Sequence, residues 1–138
     1  MKVVADTMLW VSYCTIADGY RHRLIEAARK KRVRFFASDY ILDELVKALV
    51  EDLHRSRRYA GLARRAVLRI AKLVKLPAGR YRHVPGDPDD DPIVQTALVA
   101  GVDYLVTADK EILKVGQVQS VEIISLSHFE NRLSVEVS

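Results

Sequence analysis

Short apolar runs alternate along this chain with longer stretches in which apolar and polar residues mix. The runs cover residues 2–5, 33–37, 104–107 and 121–124, and each has the length of a buried strand. In the stretches between them, apolar residues recur every three or four positions, which is the spacing of a helix with one buried face. Strands that alternate with helices predict an α/β fold with a central parallel sheet and helices on both of its faces.

The longer stretches predict the helices, over residues 19–31, 39–57, 59–76, 92–101, 110–115 and 127–133. Ser38 is the predicted N-cap of the second helix. The core face of that helix is predicted to consist of Leu42, Leu45, Val46, Leu49 and Leu53. The core face of the third is predicted to consist of Leu62, Ala66, Ile70, Leu73 and Val74. One more short strand is predicted over residues 81–84.

Composition narrows the class of protein. The chain has 138 residues, of which 49% are hydrophobic, so we expect one domain over 1–138 with a core of its own. No apolar run is long enough to span a bilayer, and the acid at position 6 comes too early for a signal peptide. The single cysteine, Cys14, excludes an internal disulfide framework. We therefore expect a cytoplasmic protein without membrane contact.

The net charge is +4, and two groups of basic residues stand out beside the acidic clusters. One group is Arg29–Arg32 with Arg34, and the other consists of Arg55, Arg57, Arg58, Arg64, Arg65 and Arg69. Such groups can bind a polyanion through its phosphates, and they can equally be ordinary solvated helix faces. Charge alone leaves both interpretations open.

Two aspartates stand just after apolar runs: Asp6 follows residues 3–5, and Asp109 follows residues 104–107. In a parallel sheet the carboxyl ends of the strands lie at one edge, and ligands bind outside that edge. The sequence therefore predicts that Asp6 and Asp109 belong to a site for a divalent metal ion.

Asp90 lies on the helical stripe formed by Ile93, Val94, Ala97, Leu98 and Gly101. That stripe must pack on the sheet, so Asp90 is predicted to point inward at the start of a buried face. An inward carboxylate must be paired or bound to a metal. The alternative is that Asp90 is simply the helix cap. Asp91 is rotated off the stripe, and we expect it to cap the helix.

Glu44 lies at the rim of its helix's apolar face, where a glutamate is usually solvated. It joins the site only if that helix lies near the edge that carries Asp6 and Asp109. Asp103 precedes its strand and is interpreted as structural, whereas Glu111 is close enough to Asp109 to be an auxiliary ligand. The remaining acids are interpreted as surface or turn residues, namely Asp18, Asp43, Glu51, Asp52, Asp87 and Asp89.

If Asp6, Glu44, Asp90 and Asp109 converge, repulsion between the carboxylates raises some of their pKa values unless cations neutralise them. Hard oxygen ligands favour Mg²⁺ or Mn²⁺ over zinc. One or two such ions can activate water for phosphodiester hydrolysis. The four histidines show no metal-ligand spacing, and the chain has no glycine-rich phosphate loop.

The chain resembles a PIN-domain protein over nearly its whole length. The matching segments are Val3-Val4-Ala5-Asp6-Thr7, Ile41-Leu42-Asp43-Glu44-Leu45, Asp87-Pro88-Asp89-Asp90 with Ile93 and Ala97-Leu98, and Asp103 to Asp109. The resemblance implies a three-layer α/β/α fold and a metal-dependent endoribonuclease with Asp6, Glu44, Asp90 and Asp109 as acidic ligands. It also selects Asp90 over Asp91 and places a hydroxyl, Thr107, where it can orient a carboxylate or a water.

The members most resembled are toxin ribonucleases of toxin–antitoxin (VapC-like) pairs. This implies an RNA substrate, a small antitoxin protein as partner and a homodimer. One position departs from the family pattern, because Met8 stands where asparagine is common. A thioether cannot replace the hydrogen bonds of that amide, so we expect impaired or altered activity.

Two other functions are open. Met8 is compatible with a non-catalytic PIN-like module that binds RNA or a protein. A phosphotransferase with Asp6 as nucleophile ranks last. That chemistry commonly has a second acid two residues after the nucleophile, and Met8 stands there.

Overall fold

In a computed structural model, which describes residues 1–79 and 81–136, the chain forms a six-stranded sheet flanked by helices. The strands are β1 (Lys2–Ala5), β2 (Arg34–Ser38), β3 (Ala71–Val74), β4 (Tyr104–Val106), β5 (Gln117–Val118) and β6 (Val121–Ile124). Their order is β3-β2-β1-β4-β6-β5, and β5 is antiparallel to β6 while the other neighbours are parallel. The predicted α/β class with a mainly parallel central sheet is confirmed.

The helices follow the strands closely along the chain. They are α1 (Thr7–Thr15), α2 (Tyr20–Lys30), α3 (Asp39–Lys47), α4 (Arg57–Ile70), α5 (Asp91–Ala100), α6 (Lys110–Val115) and α7 (Leu126–Glu136). A π-helical segment, Ala48–Asp52, extends α3, and a 3₁₀ turn, Pro88–Asp90, leads into α5. Among the described residues, no helix is both long enough and apolar enough to cross a membrane.

The two central strands form the middle of the core. Val3, Val4 and Ala5 of β1 are completely buried, as are Leu105 and Val106 of β4. Burial on both faces explains why these strands are continuous apolar runs instead of alternating patterns. A polar residue follows each of these strands at the same edge of the sheet, Asp6 after β1 and Thr107 after β4, and helices α1 and α6 begin just beyond them.

Residues 59–76, predicted as one helix, form two elements. Helix α4 ends at Ile70, and the next four residues pair with β2 as an edge strand, with Phe35 opposite Ala71 and Ser38 opposite Val74. The free edge of β2 accounts for this difference, because its hydrogen bonds outweigh the local helical spacing.

The predicted core face of α4 is also wrong. Leu62 is 55% exposed, whereas Ala60, Ala63 and Val67 are buried. The buried face therefore uses small residues, which allow α4 to lie close to α3. In the helix before it, the predicted core residue Leu53 is 44% exposed because the π-helical segment ends at Asp52.

Three further segments differ from the prediction. Residues 7–15 form α1, which is apolar on most sides and so lacks a helical pattern. Gln117 and Val118 form the short strand β5. Residues 81–84 form no strand, because the backbone N–H groups of His83 and Val84 donate to the carboxylate of Asp91 instead of to a neighbouring strand.

Truncating Val67 should cost far more stability than truncating Leu62 on the opposite side of α4. Val67→Ala removes two buried methyl groups, and we expect the free energy of unfolding to fall by about 2 kcal/mol. Leu62→Ala should change it by less than about 0.5 kcal/mol, because Leu62 is largely solvated. Urea denaturation of both variants measures the difference, and equal losses would contradict the assigned core face.

Candidate functional site

The carboxyl ends of β1 and β4 open into a cavity of about 680 Å³. Asp6 follows β1, Asp109 follows β4, Glu44 lies on α3, and Asp90 ends the 3₁₀ turn before α5. All four of these acids line the cavity. The structure therefore brings the acids predicted as ligands to one place.

Asp6 is held on both sides of its carboxylate. It is the N-cap of α1, where its Oδ1 accepts from the N–H of Leu9 at 3.2 Å, and its Oδ2 accepts from the Thr107 hydroxyl. The side chain is only 6% exposed. Burial raises the pKa of Asp6, and the negative charge of Asp109 raises it further, while the hydrogen bonds from Thr107 and the backbone oppose the shift.

The buried Thr107 hydroxyl connects Asp6 to Asp109. It donates to the Asp6 carboxylate and accepts from the backbone N–H of Asp109 at 3.0 Å. The Asp109 carboxylate caps α6, because its Oδ1 accepts from the backbone N–H groups of Glu111 at 2.8 Å and Ile112 at 3.3 Å. These donors fix the orientation of both aspartates before any ligand binds.

Asp90 lies close to other carboxylates. One carboxylate oxygen from each of Asp87, Asp90 and Asp109 lies within 4.8 Å of the others. The Asp90 Oδ2 is buried and has no hydrogen-bond donor among the described residues. Burial, contact with Asp87 and the charges of Asp87, Asp109 and Asp6 together raise the pKa of Asp90 to about 7. Such a group favours a proton or a cation beside it.

The prediction from sequence left Asp87 out of the site, as a turn acid. The 3₁₀ turn explains its position, because residues three apart lie on the same side of a 3₁₀ helix, and Asp87 precedes Asp90 by three. Pro88 after Asp87 was the available signal for such a turn.

Asp91 differs from its predicted role as a cap. It is 6% exposed, and its Oδ1 accepts from the N–H groups of His83 at 2.9 Å and Val84 at 2.6 Å. It therefore ties residues 83–84 to the start of α5 and lies away from the cavity that Asp90 lines. A helical stripe cannot show this contact, because it comes from a loop that returns over the helix.

Helix α3, which carries Glu44, is held against α5 by buried hydroxyl groups. Ser38 caps α3, as predicted, by accepting from the N–H of Ile41 at 3.4 Å. Its hydroxyl also lies 2.7 Å from that of Thr96, which donates to the carbonyl of Pro92. These two hydroxyl groups connect the start of α3, the helix that carries Glu44, to α5, the helix that follows Asp90.

Three other residues considered in the sequence analysis have different surroundings. Glu111 does not line the cavity; it pairs with Lys114 at 2.9 Å and approaches Gly86. Asp103 accepts from the backbone N–H of Lys2 at the opposite edge of the sheet, which agrees with a structural role. Met8 is 53% exposed and lines the cavity.

A family model described as a PIN domain matches residues 2–111. This range includes all the acids that line the cavity. No curated protein matches the chain.

In the metal-free protein, the Asp90 carboxyl should titrate near pH 7. Its ordinary pKa is 3.8, so the folded chain binds this proton more tightly than the unfolded chain does. The resulting stabilisation is fully present below pH 3.8 and is lost as the pH rises through 7. Carbon-detected NMR of the Asp carboxyl groups measures the pKa, and Asp87→Asn should lower it by removing a negative neighbour.

The same titration should appear in the stability of the protein. Between pH 5 and pH 8, the metal-free wild type should lose stability relative to Asp90→Asn, which has no carboxyl proton to lose at that position. Thermal unfolding of both proteins at several pH values tests this, and parallel curves would show that Asp90 titrates at its ordinary value.

Proposed function

The chain belongs to the PIN-domain family, and we propose that it is an endoribonuclease that hydrolyses RNA phosphodiesters with the aid of Mg²⁺ or Mn²⁺. PIN domains are generally nucleases, and they typically use divalent metal ions. The observation that carries the proposal is the cluster of Asp87, Asp90 and Asp109, in which one Asp90 oxygen is buried and accepts no hydrogen bond from the described residues.

The donors present fit a hard divalent ion. They are carboxylate oxygens without a nearby histidine or cysteine in the cluster of described residues, which favours Mg²⁺ or Mn²⁺ over softer metals. Asp6, Glu44, Asp90 and Asp109 would hold the ion or ions, with Asp87 as a further candidate. A divalent ion bound there would activate a water as the nucleophile and would stabilise the charge on the leaving oxygen.

The chain's own contribution is to hold these acids in place. Thr107 fixes the Asp6 carboxylate and, through the Asp109 backbone, the start of α6. Asp6 and Asp109 keep their orientation because each also accepts backbone N–H groups at a helix start. Hydroxyl groups behind metal ligands typically contribute about 10- to 100-fold in affinity or activity.

Substitution of the acids should abolish cleavage of a single-stranded RNA. We expect Asp6→Asn, Asp90→Asn and Asp109→Asn each to cut the rate at least about 100-fold, because each removes charge that stabilises the bound ion. Asp18→Asn, at an exposed position outside the cavity, is the matched control and should cleave like wild type. EDTA should stop the reaction and Mn²⁺ restore it. Equal cleavage by all the variants would disprove the proposed site.

Asp87 should contribute to metal binding. We expect Asp87→Asn to weaken Mn²⁺ binding about 10-fold in calorimetry, as is typical when a supporting carboxylate is lost. Asp18→Asn is the matched control, because Asp18 is exposed and lies outside both the carboxylate cluster and the cavity. Equal affinities for the two variants would assign Asp87 to the turn alone.

A non-catalytic PIN-like module that binds RNA or protein is the second candidate. Met8 favours it, because it lines the cavity at a position where the family commonly has an amide. The two functions differ in metal binding, since a module has no need of an ion. Absence of Mn²⁺ binding at millimolar concentration would favour the module.

We further propose that the chain is a single domain over 1–138 and acts in the cytoplasm as a homodimeric toxin of a toxin–antitoxin pair. The support is the resemblance of its motifs to VapC-like toxins. A small reading frame upstream of the gene would supply the antitoxin. Induced expression should arrest growth of the host, and Asp109→Asn should relieve the arrest.

A further inference from the structure

Two basic side chains line the same cavity as the acids. Arg21 lies in the first turn of α2, and Lys47 lies on α3 three residues after Glu44. We propose that Arg21 and Lys47 bind the RNA backbone through its phosphates and hold the strand beside the acidic cluster. This rests on the proposed function, because it names how that site holds its substrate.

Neither side chain is neutralised by the acids around it. The cavity is lined by Asp6, Glu44, Asp52, Asp89, Asp90 and Asp109. Within residues 1–79 and 81–136, the ion pairs shorter than 4.0 Å involve neither Arg21 nor Lys47. Arg21 donates instead to a neutral group, the hydroxyl of Ser12, at 3.2 Å. Both cations therefore remain available to an anion that enters the cavity.

The start of α2 is unfavourable for a helix on its own. Gly19 provides no side-chain cap, the first turn has no acid, and Arg21 and Arg23 place positive charge at the positive end of the helix dipole. Acids or capping side chains would stabilise this helix better. A phosphate group beside Arg21 reverses the repulsion, because helix N-termini attract anions.

The rest of the lining suits a nucleotide chain. Met8, Ala48, Ile93 and Ile112 add apolar surface beside the charged groups. Contacts to phosphates position a strand and carry no base information. The contribution of each cation to RNA binding should therefore be the same for RNAs of different sequence.

Fluorescence anisotropy with labelled oligo-U and oligo-A at low salt tests the proposal, with EDTA present to prevent metal-dependent cleavage. We expect Arg21→Gln and Lys47→Gln each to weaken binding of both oligonucleotides about 5- to 10-fold and to lower the slope of log affinity against log salt by about 0.7. Loss of affinity for only one oligonucleotide, or no measurable binding by the wild type, would overturn the proposal.

Matched controls lie outside the cavity. Lys30 ends α2 and Arg34 begins β2, both are exposed, and neither lines the cavity. Lys30→Gln and Arg34→Gln remove the same charges and should change the affinity by less than about 2-fold. If they weaken binding as much as the cavity variants do, the RNA follows overall charge and the proposal fails.

Mn²⁺ calorimetry separates the proposal from the alternative that Lys47 is a counterion for the acids. If Lys47 binds phosphate, Lys47→Gln should change the Mn²⁺ affinity by less than about 2-fold. As a counterion it competes with the metal, so Lys47→Gln would raise Mn²⁺ affinity and leave RNA binding unchanged, which would overturn the proposal. Cleavage by Asp109→Asn reports separately on the proposed nuclease, and thermal unfolding confirms that each variant is folded.

Discussion

The pairing of β1 with β4 is the constraint on which the site depends. Val4 lies opposite Leu105 and Ala5 opposite Val106, and the Asp6 N–H continues the ladder by donating to the Val106 carbonyl at 3.1 Å. This register places Thr107 beside Asp6, where its hydroxyl reaches both Asp6 and the backbone of Asp109. A slip by one residue would turn the Thr107 side chain to the other face of the sheet and break the connection.

The same edge determines how negative charge is distributed in the metal-free protein. Asp6 and Asp109 each cap a helix, so backbone N–H groups partly compensate their charge. Asp90 starts α5 without such a hydrogen bond, and one of its oxygens is buried without a donor. Asp90 therefore faces the neighbouring carboxylates without this compensation, which agrees with its pKa of about 7. The same property favours a cation beside Asp90.

The sequence predicts the parts of the fold that local pattern determines. The continuous apolar runs of β1 and β4 indicate buried parallel strands, and from these the positions of Asp6 and Asp109 follow directly. Local pattern fails where a distant segment competes for hydrogen bonds. Residues 71–74 fit a helical spacing but pair with the free edge of β2, and Asp91 binds a loop that returns over α5.

Acids and cations in one cavity have a thermodynamic consequence for the proposed nuclease. Without metal, the clustered carboxylates repel an RNA strand, and Arg21 and Lys47 supply the attraction that does not depend on metal. A divalent ion bound there would remove that repulsion and so would raise RNA affinity. Because binding free energies are reciprocal, RNA must raise metal affinity by the same factor. The proton is a third ligand in this linkage, because the pKa of Asp90 is raised to about 7. A proton on Asp90 would compete with the metal and would thereby weaken RNA binding.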